Sequence, residues 1–370
     1  MSPRHVSVFG PAYLDRVLRV DRPLVDPADG PPLDQSVDGS WKFGENRLIE
    51  IVDPAGWRLD IEPPTDWPGP KGSIVLVRPL RDCLTGRRQI RGLSSHDDLG
   101  GMGAGFAAAL RGRLWSVLGS ETDPTSRAIS ALIAEHEIEH VPVRVGDHPA
   151  DWTLLITSAG HGDKLPIGFR GCHAAAAMTA LDAGIAEPCD ACVVAALPNR
   201  LAQRVLSASN ARARVFAPAM RNMLDRAVPI SSFARFVDFL SCNRLEWESL
   251  EDREEVAWQV SILAITDGAA GSSVRYTTLG GEARTVHLSA FPRARPPRDT
   301  NRAGETFAAT LIATLLEAEW NASAGVVDDL LIDRAAKRAS AAAALQLDRE
   351  VFGFPDAADV EHALEQGFVA

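Results

Sequence analysis

Apolar positions along the chain first cluster, then scatter, then settle into a regular alternation. Residues 5–10 (HVSVFG) form a short apolar run ended by Gly10 and read as a strand. Between about 21 and 95 proline and glycine are dense and no helical period survives. Short apolar runs at 47–52 and 73–77 sit there between turn signals, which predicts a β-rich excursion. From residue 100 strands and helices alternate. The pattern predicts helices at 104–110, 125–135 and 201–207, with strands at 152–157, 191–196, 214–217 and 236–240. A helix at 249–259 leads to a strand at 261–266, and Ala-rich helices at 303–319 and 328–345 follow. Alternating β and α with short connections predicts an α/β fold: a mostly parallel central sheet flanked by helices on both faces. The expected division is an α/β domain from 1–20 and 96–370, interrupted by the β-rich segment 21–95.

Composition narrows the function classes. With 46% hydrophobic and 24% charged residues the chain reads as globular and ordered. No window approaches the 18 or so apolar residues of a membrane span, and the N-terminus runs at once into a strand without a secretory pattern. The expectation is a cytoplasmic protein. A net charge of −11 disfavours a general role on nucleic acid or anionic membrane, while leaving room for a local cationic pocket. Five cysteines at irregular spacing suggest no disulfide framework. Cys189 and Cys192 form a C-x-x-C without a second pair, at the start of an apolar run, and read as buried thiols. Trp41, Trp57 and Trp67 in the β-rich segment read as packing residues.

The chemistry concentrates at Asp299-Thr300-Asn301-Arg302-Ala303-Gly304-Glu305, where a Pro-rich loop opens a helix. A helix start offers unpartnered N–H groups and the positive end of the dipole. Small residues such as Ala303 and Gly304 let an anion approach them closely, and an acid such as Glu305 can take a proton from a hydroxyl. Taken alone, the segment fits equally a plain helix start in which Glu305 merely favours the dipole.

This segment resembles the D-T-x-G-A-G-D-x-F signature of the PfkB, or ribokinase-like, carbohydrate kinases. Other segments match in the family's order. Val8-Phe9-Gly10 with Asp15 resembles the first strand and its sugar-binding acid, and Gly100-Gly101-Met102-Gly103-Ala104 resembles the glycine pair lining the sugar site. Asn243-Arg244-Leu245-Glu246 resembles the N-x-x-E motif, and Thr266-Asp267-Gly268-Ala269-Ala270-Gly271 the turn beside the nucleotide. The resemblance implies a ribokinase-like fold whose segment 21–95 is a small β-rich lid, and a homodimer through that lid. It implies ATP as donor, a sugar or related alcohol as acceptor, and Glu305 as base over an anion cradle of Arg302, Ala303 and Gly304. Asp15, Gly100, Gly101 and Gly105 would hold the acceptor. Thr266, Gly268 and Gly271 would hold the nucleotide, Asn243 and Glu246 would place Mg²⁺ through water, and Asp299 with Thr300 would take a monovalent cation such as K⁺. Nucleoside kinase activity and ligand binding without efficient catalysis are the alternatives.

Departures from the signature stand at the centre of the site. The catalytic aspartate is replaced by Glu305, the first glycine of G-A-G-D by Arg302, and the sugar-site asparagine by Gly105. A usual D-P pair appears as Ala217-Pro218.

His136-Glu137-Ile138-Glu139-His140 fits the H-E-x-x-H zinc pattern, which needs both histidines on one helix. Pro142 biases Val141 away from helix, so the helix is expected to end before His140, with 141–145 a strand.

Overall fold

The computed structural model describes residues 5–44, 47–82, 84–158 and 160–370. The strands run in chain order β1 (Val6–Phe9), β2 (Tyr13–Val20), β3 (Val37–Phe43), β4 (Ile49–Val52), β5 (Arg58–Glu62) and β6 (Gly72–Leu76). Then come β7 (Arg87–Gly100), β8 (Arg113–Leu118), β9 (His140–Arg144), β10 (Trp152–Ser158), β11 (Lys164–Phe169) and β12 (Ala191–Ala195). The last are β13 (Ala213–Ala217), β14 (Phe239–Asn243), β15 (Ile262–Thr266), β16 (Ser272–Thr277) and β17 (Ala283–Leu288).

Nine strands build the central sheet in the order β17-β16-β15-β14-β13-β12-β1-β8-β9. It is parallel from β15 to β9, and β16 and β17 add an antiparallel edge. The all-apolar strand β12 explains the middle position, since both its faces are buried. Its alternate residues divide the core: Ala191, Val193 and Ala195 face one apolar layer, Cys192 and Val194 the other. Helices Met102–Leu110, Ala303–Glu317 and Asp329–Gln346 cover the first layer through Phe106, Phe307, Leu311 and Ala335, and helix Asn199–Ala208 covers the second through Leu201 and Val205. At β1 the cover comes very close. A Cβ on Gly10 would lie 2.8 Å from the Gly103 Cα, so two glycines let the helix cross the strand backbone to backbone.

The β-rich segment forms a closed eight-stranded barrel in the order β10-β11-β3-β6-β4-β5-β7-β2. Residues 21–95 supply β3 to β6 and most of β7, while β2, β10 and β11 come from outside that segment. Strict alternation fills its interior: Ile49 and Ile51 of β4, Leu59 and Ile61 of β5 and Ile74 of β6 are fully buried, together with Trp57. Trp67 joins the same core and Trp41 packs against it, so these tryptophans pack as expected. Barrel closure joins β3 to β11 over Ile167↔Val37 and Gly168↔Asp38, residues far apart in the chain.

Several sequence expectations need correction. The helix expected at 249–259 is two short helices, Arg244–Ser249 and Arg253–Gln259. The break falls where the Asp252 carboxylate accepts the Ser231 N–H, tying the turn to another segment instead of to a continuing helix. The strand expected at 236–240 is shifted to Phe239–Asn243 behind a 3-10 turn. A helix at Ala357–Gln366 lies beyond the last predicted one.

The zinc-like histidines occupy different elements. Helix Pro124–Glu135 ends before His136, and His140 starts β9, where its ring nitrogen meets Ser116 Oγ at 2.7 Å. Burial lowers the His140 pKa to about 4, consistent with a neutral ring packed in the sheet. Cys172, Cys189, Cys192 and Cys242 are free thiols among the described residues, and burial pushes Cys192 up to about 12. No helix among the described residues is long and apolar enough to cross a membrane.

Candidate active site

A cleft of about 550 Å³ runs between the barrel and the carboxyl ends of the central strands. Asp15, Gly100, Gly101, Arg302, Glu305 and Glu246 all line it, which brings together four regions dispersed over the sequence. Its barrel side is made by residues of β2, β3, β10 and β11 with Val77 and Arg78.

Asp15 sits on β2 directly opposite Asp98 of β7 and beside Thr153 of β10. Gly100 is needed here: a Cβ would stand 2.1 Å from the Asp15 Cγ. Gly101 turns the chain into the following helix with φ 92°, where a Cβ would meet the Pro11 carbonyl oxygen at 2.4 Å. Burial raises the Asp15 pKa to about 6; the Asp98 charge adds to this, against the pull of Arg302 and Lys164.

Helix Ala303–Glu317 starts with Arg302 as its N-cap, in the left-handed region at φ 63°. A glycine would take that conformation without strain, whereas arginine costs on the order of 1 kcal/mol. The guanidinium offsets this by turning away from the helix start. It pairs with Asp98 at 2.8 Å, donates to the Leu99 carbonyl at 3.0 Å, and lies 5.0 Å from the Phe352 ring centroid. Asp98 is further satisfied by the N–H groups of Leu99 and Phe352. The helix start therefore stays open: nothing lies within 4 Å of a Cβ placed on the exposed Gly304. Asp98 belongs to no motif in the sequence, and only the burial of Arg302 in the fold reveals its role as counter-charge.

Glu305 borders the space at Gly105. A Cβ on Gly105 would stand 3.7 Å from the Glu305 Cγ and 3.5 Å from the Phe354 ring. The two departures from the signature are thus neighbours, and the absent side chain at 105 leaves room for the longer acid at 305. Glu246 lies near enough to feel the Glu305 charge. Burial chiefly, then that charge, raise its pKa to about 7, against hydrogen bonds from the Asn243 and Met220 N–H groups.

Asn243 and Glu246 form a complete capping box on helix Arg244–Ser249: Asn243 Oδ1 accepts the Glu246 N–H and Glu246 Oε2 the Asn243 N–H, both at 2.9 Å. Asn243 and Thr266 are register partners at the carboxyl ends of β14 and β15. Gly268 stands at φ 51° with open space around it, and Gly271 at φ 100° packs against the Leu288 carbonyl. Asn243, Thr266, Gly268 and Gly271 are not among the residues lining the cleft, whereas Glu246 is. Asp299 Oδ1 accepts the Asn301 N–H at 2.8 Å, and Thr300 is exposed, so this pair shapes the loop before the helix. Lys164 of β11 reaches Asn301 Oδ1 at 2.5 Å and latches the barrel to that loop.

Sequence reading also missed Tyr13, Arg78, Lys164, Arg170 and Arg221, all of which line the cleft. None belongs to a motif. Barrel closure and the turn after β13 bring them in.

Comparison with known proteins gives a consistent picture. Residues 102–355 match the family described as pfkB family carbohydrate kinase. No curated protein matches the chain. Among solved structures, ribokinase from Giardia lamblia is similar at TM-score 0.65 and 17% identity, covering 98% of this chain and 99% of that one. The Burkholderia thailandensis nucleoside kinase in complex with inosine is similar at TM-score 0.61 and 16% identity, covering 98% of both chains. The Arabidopsis thaliana ribokinase complexed with ribose and ATP is similar at TM-score 0.59 and 17% identity, covering 98% of this chain and 99% of that one.

Proposed function

The chain belongs to the pfkB family of carbohydrate kinases, and from that premise we propose that it transfers the terminal phosphoryl group of ATP to a hydroxyl of a sugar or sugar-like alcohol. One observation carries the reading: Asp15, the Gly100–Gly101 turn, Arg302 at the helix start and Glu305 line one cleft. Relatives of the same fold bind ribose and ATP or inosine, which supports sugars and nucleosides as acceptor classes.

The residue roles follow from position. Asp15 accepts a hydrogen bond from an acceptor hydroxyl, with Gly100 leaving space for its carboxylate. Glu305 takes the proton of the attacking hydroxyl. The N–H groups of Ala303, Gly304 and Glu305 face the transferring group, adding dipole stabilisation where negative charge is concentrated. Phosphoryl transfer depends mainly on such positioning and charge neutralisation. We assign Thr266, Gly268 and Gly271 to the nucleotide, beside the strand ends where Asn243 sits.

Glu246 and Glu305 line the same cleft, an oxygen donor set of the kind a divalent cation takes. Mg²⁺ bound there through water, with Asn243 and Glu246 as its supports, would neutralise the donor's phosphates. Asp299 and Thr300 are assigned to a monovalent cation on the same loop. The barrel serves as lid, since Ser36, Val37, Asp38, Val77 and Arg78 of its inserted part line the cleft.

The position of Arg302 favours catalysis over binding alone, because its guanidinium is engaged by Asp98 and leaves the cradle free. An ATP-consumption screen over sugars and nucleosides tests the reading. Acceptor-dependent ADP release is the expected result; ATP use stimulated by no acceptor would refute it.

A further inference from the structure

The cleft is richer in cations than the acidic chain around it. Arg78, Lys164, Arg170, Arg221 and Arg302 line it against Asp15, Asp38, Glu246 and Glu305, while the whole chain carries −11. Arg302 is neutralised by Asp98 and Arg170 by Asp38 at 2.6 Å. Arg221 has no carboxylate within ion-pair distance among the described residues; its guanidinium donates to the Ala196 carbonyl and lies close enough to the Tyr13 phenol to favour its ionised form. Arg170 reaches the same phenol oxygen at 3.4 Å and lies 5.9 Å from its ring centroid. Two guanidinium groups and a phenol thus converge at one end of the cleft. Tyr13 is two residues before Asp15 on β2, so both side chains point to one face roughly 7 Å apart, the span of a small acceptor.

A second layer fixes this cluster. The His173 ring packs edge-on against Tyr13, centroids 5.4 Å apart, and His173 Nδ1 is held 3.2 Å from the buried Asp151. Asp151 also accepts the Gly171 and His173 N–H groups, setting the turn that follows Arg170. An arginine pair kept in place without full neutralisation suits a planar or tetrahedral oxyanion.

We infer that the acceptor carries its own anionic group, a carboxylate or a phosphate ester, bound by Tyr13, Arg170 and Arg221 while Asp15 holds its hydroxyls. This rests on the kinase reading of the same cleft and deepens it: substrates are sugar acids or sugar phosphates in preference to neutral sugars.

The test pairs calorimetry with turnover. Neutral sugars, the matching sugar acids and sugar monophosphates are titrated into the full chain without nucleotide, and ATP consumption is measured with each. An anionic compound should bind, and be phosphorylated, at least about tenfold better than its neutral counterpart; acid and phosphate arms identify the group. Arg221→Gln and Tyr13→Phe should weaken the preferred anionic compound, the arginine change roughly ten- to hundredfold, as expected for a lost charge-assisted hydrogen bond. ATP affinity and the weak binding of neutral sugars should not move. Equal use of neutral and anionic acceptors overturns the inference, as does a panel in which no anionic compound binds. Loss of ATP affinity in Arg221→Gln, with acceptor binding intact, overturns it by assigning the cluster to the nucleotide. Anion binding with no ATP use in any arm would instead sustain the subsite and refute the kinase reading.

Discussion

Arg302 and Asp98 show how a residue unsuited to its backbone is retained. The pair is buried, with side chains 7% and 9% exposed, and bridges the helix start to β7. Arg302→Gly would relieve the left-handed strain but strand a buried carboxylate, so we expect a net loss of about 3 kcal/mol. Adding Asp98→Asn should recover most of it, and chemical denaturation of the two single variants and the double variant would measure the coupling. Gly105 and Glu305 form a second linked pair. Gly105→Asn should crowd Glu305 and lower kcat by about a hundredfold, the cost of misplacing a reacting group by about 1 Å. Glu305→Asp in the same chain should restore activity. Additive losses would refute the coupling. Asp15 supplies a pH signature. Its pKa is raised to about 6, so the unliganded carboxylate is largely protonated at pH 5 and ionised at pH 7. Acceptor affinity, measured calorimetrically without nucleotide, should therefore fall as pH drops through 6, and Asp15→Asn should remove that dependence.

At the scale of elements, legibility tracked locality. The helix start at 303 could be read because proline, small residues and an acid follow one another within a few positions, and the capping box at Asn243 and Glu246 is equally local. The divided helix near Leu250 could not be read, since Asp252 in the break takes its partner from Ser231, a residue distant in the chain. Barrel closure was invisible for a related reason: β3 finds β11 more than a hundred residues later, and no local pattern records that register. Lys164, Arg170 and Arg221 were missed as a consequence. Each is an ordinary charge in sequence and gains meaning only when the barrel and the turn after β13 meet. Asp15 and Gly100, by contrast, were found through motifs on adjoining strands, and the packing of one against the other gives the physical reason for both.

For the whole molecule, the barrel closes on itself within one chain. Closed barrels remove the edges through which sheets of two chains would pair. No dimer joined through barrel strands is therefore expected in solution, in place of the lid-mediated homodimer that the family resemblance implied; a stable dimer whose interface maps to the barrel strands by crosslinking would contradict this. Two contacts join barrel and body, Lys164 to Asn301 and Arg19 to Glu350 at 2.6 Å. All of this geometry converges on one proton transfer at Glu305. The most direct check is single-turnover phosphoryl transfer, with the best acceptor and saturating ATP, in Glu305→Gln against the unaltered chain. A fall of roughly 10² to 10⁴ in the transfer rate is expected, with acceptor and ATP affinities preserved. An unchanged transfer rate in Glu305→Gln would contradict it.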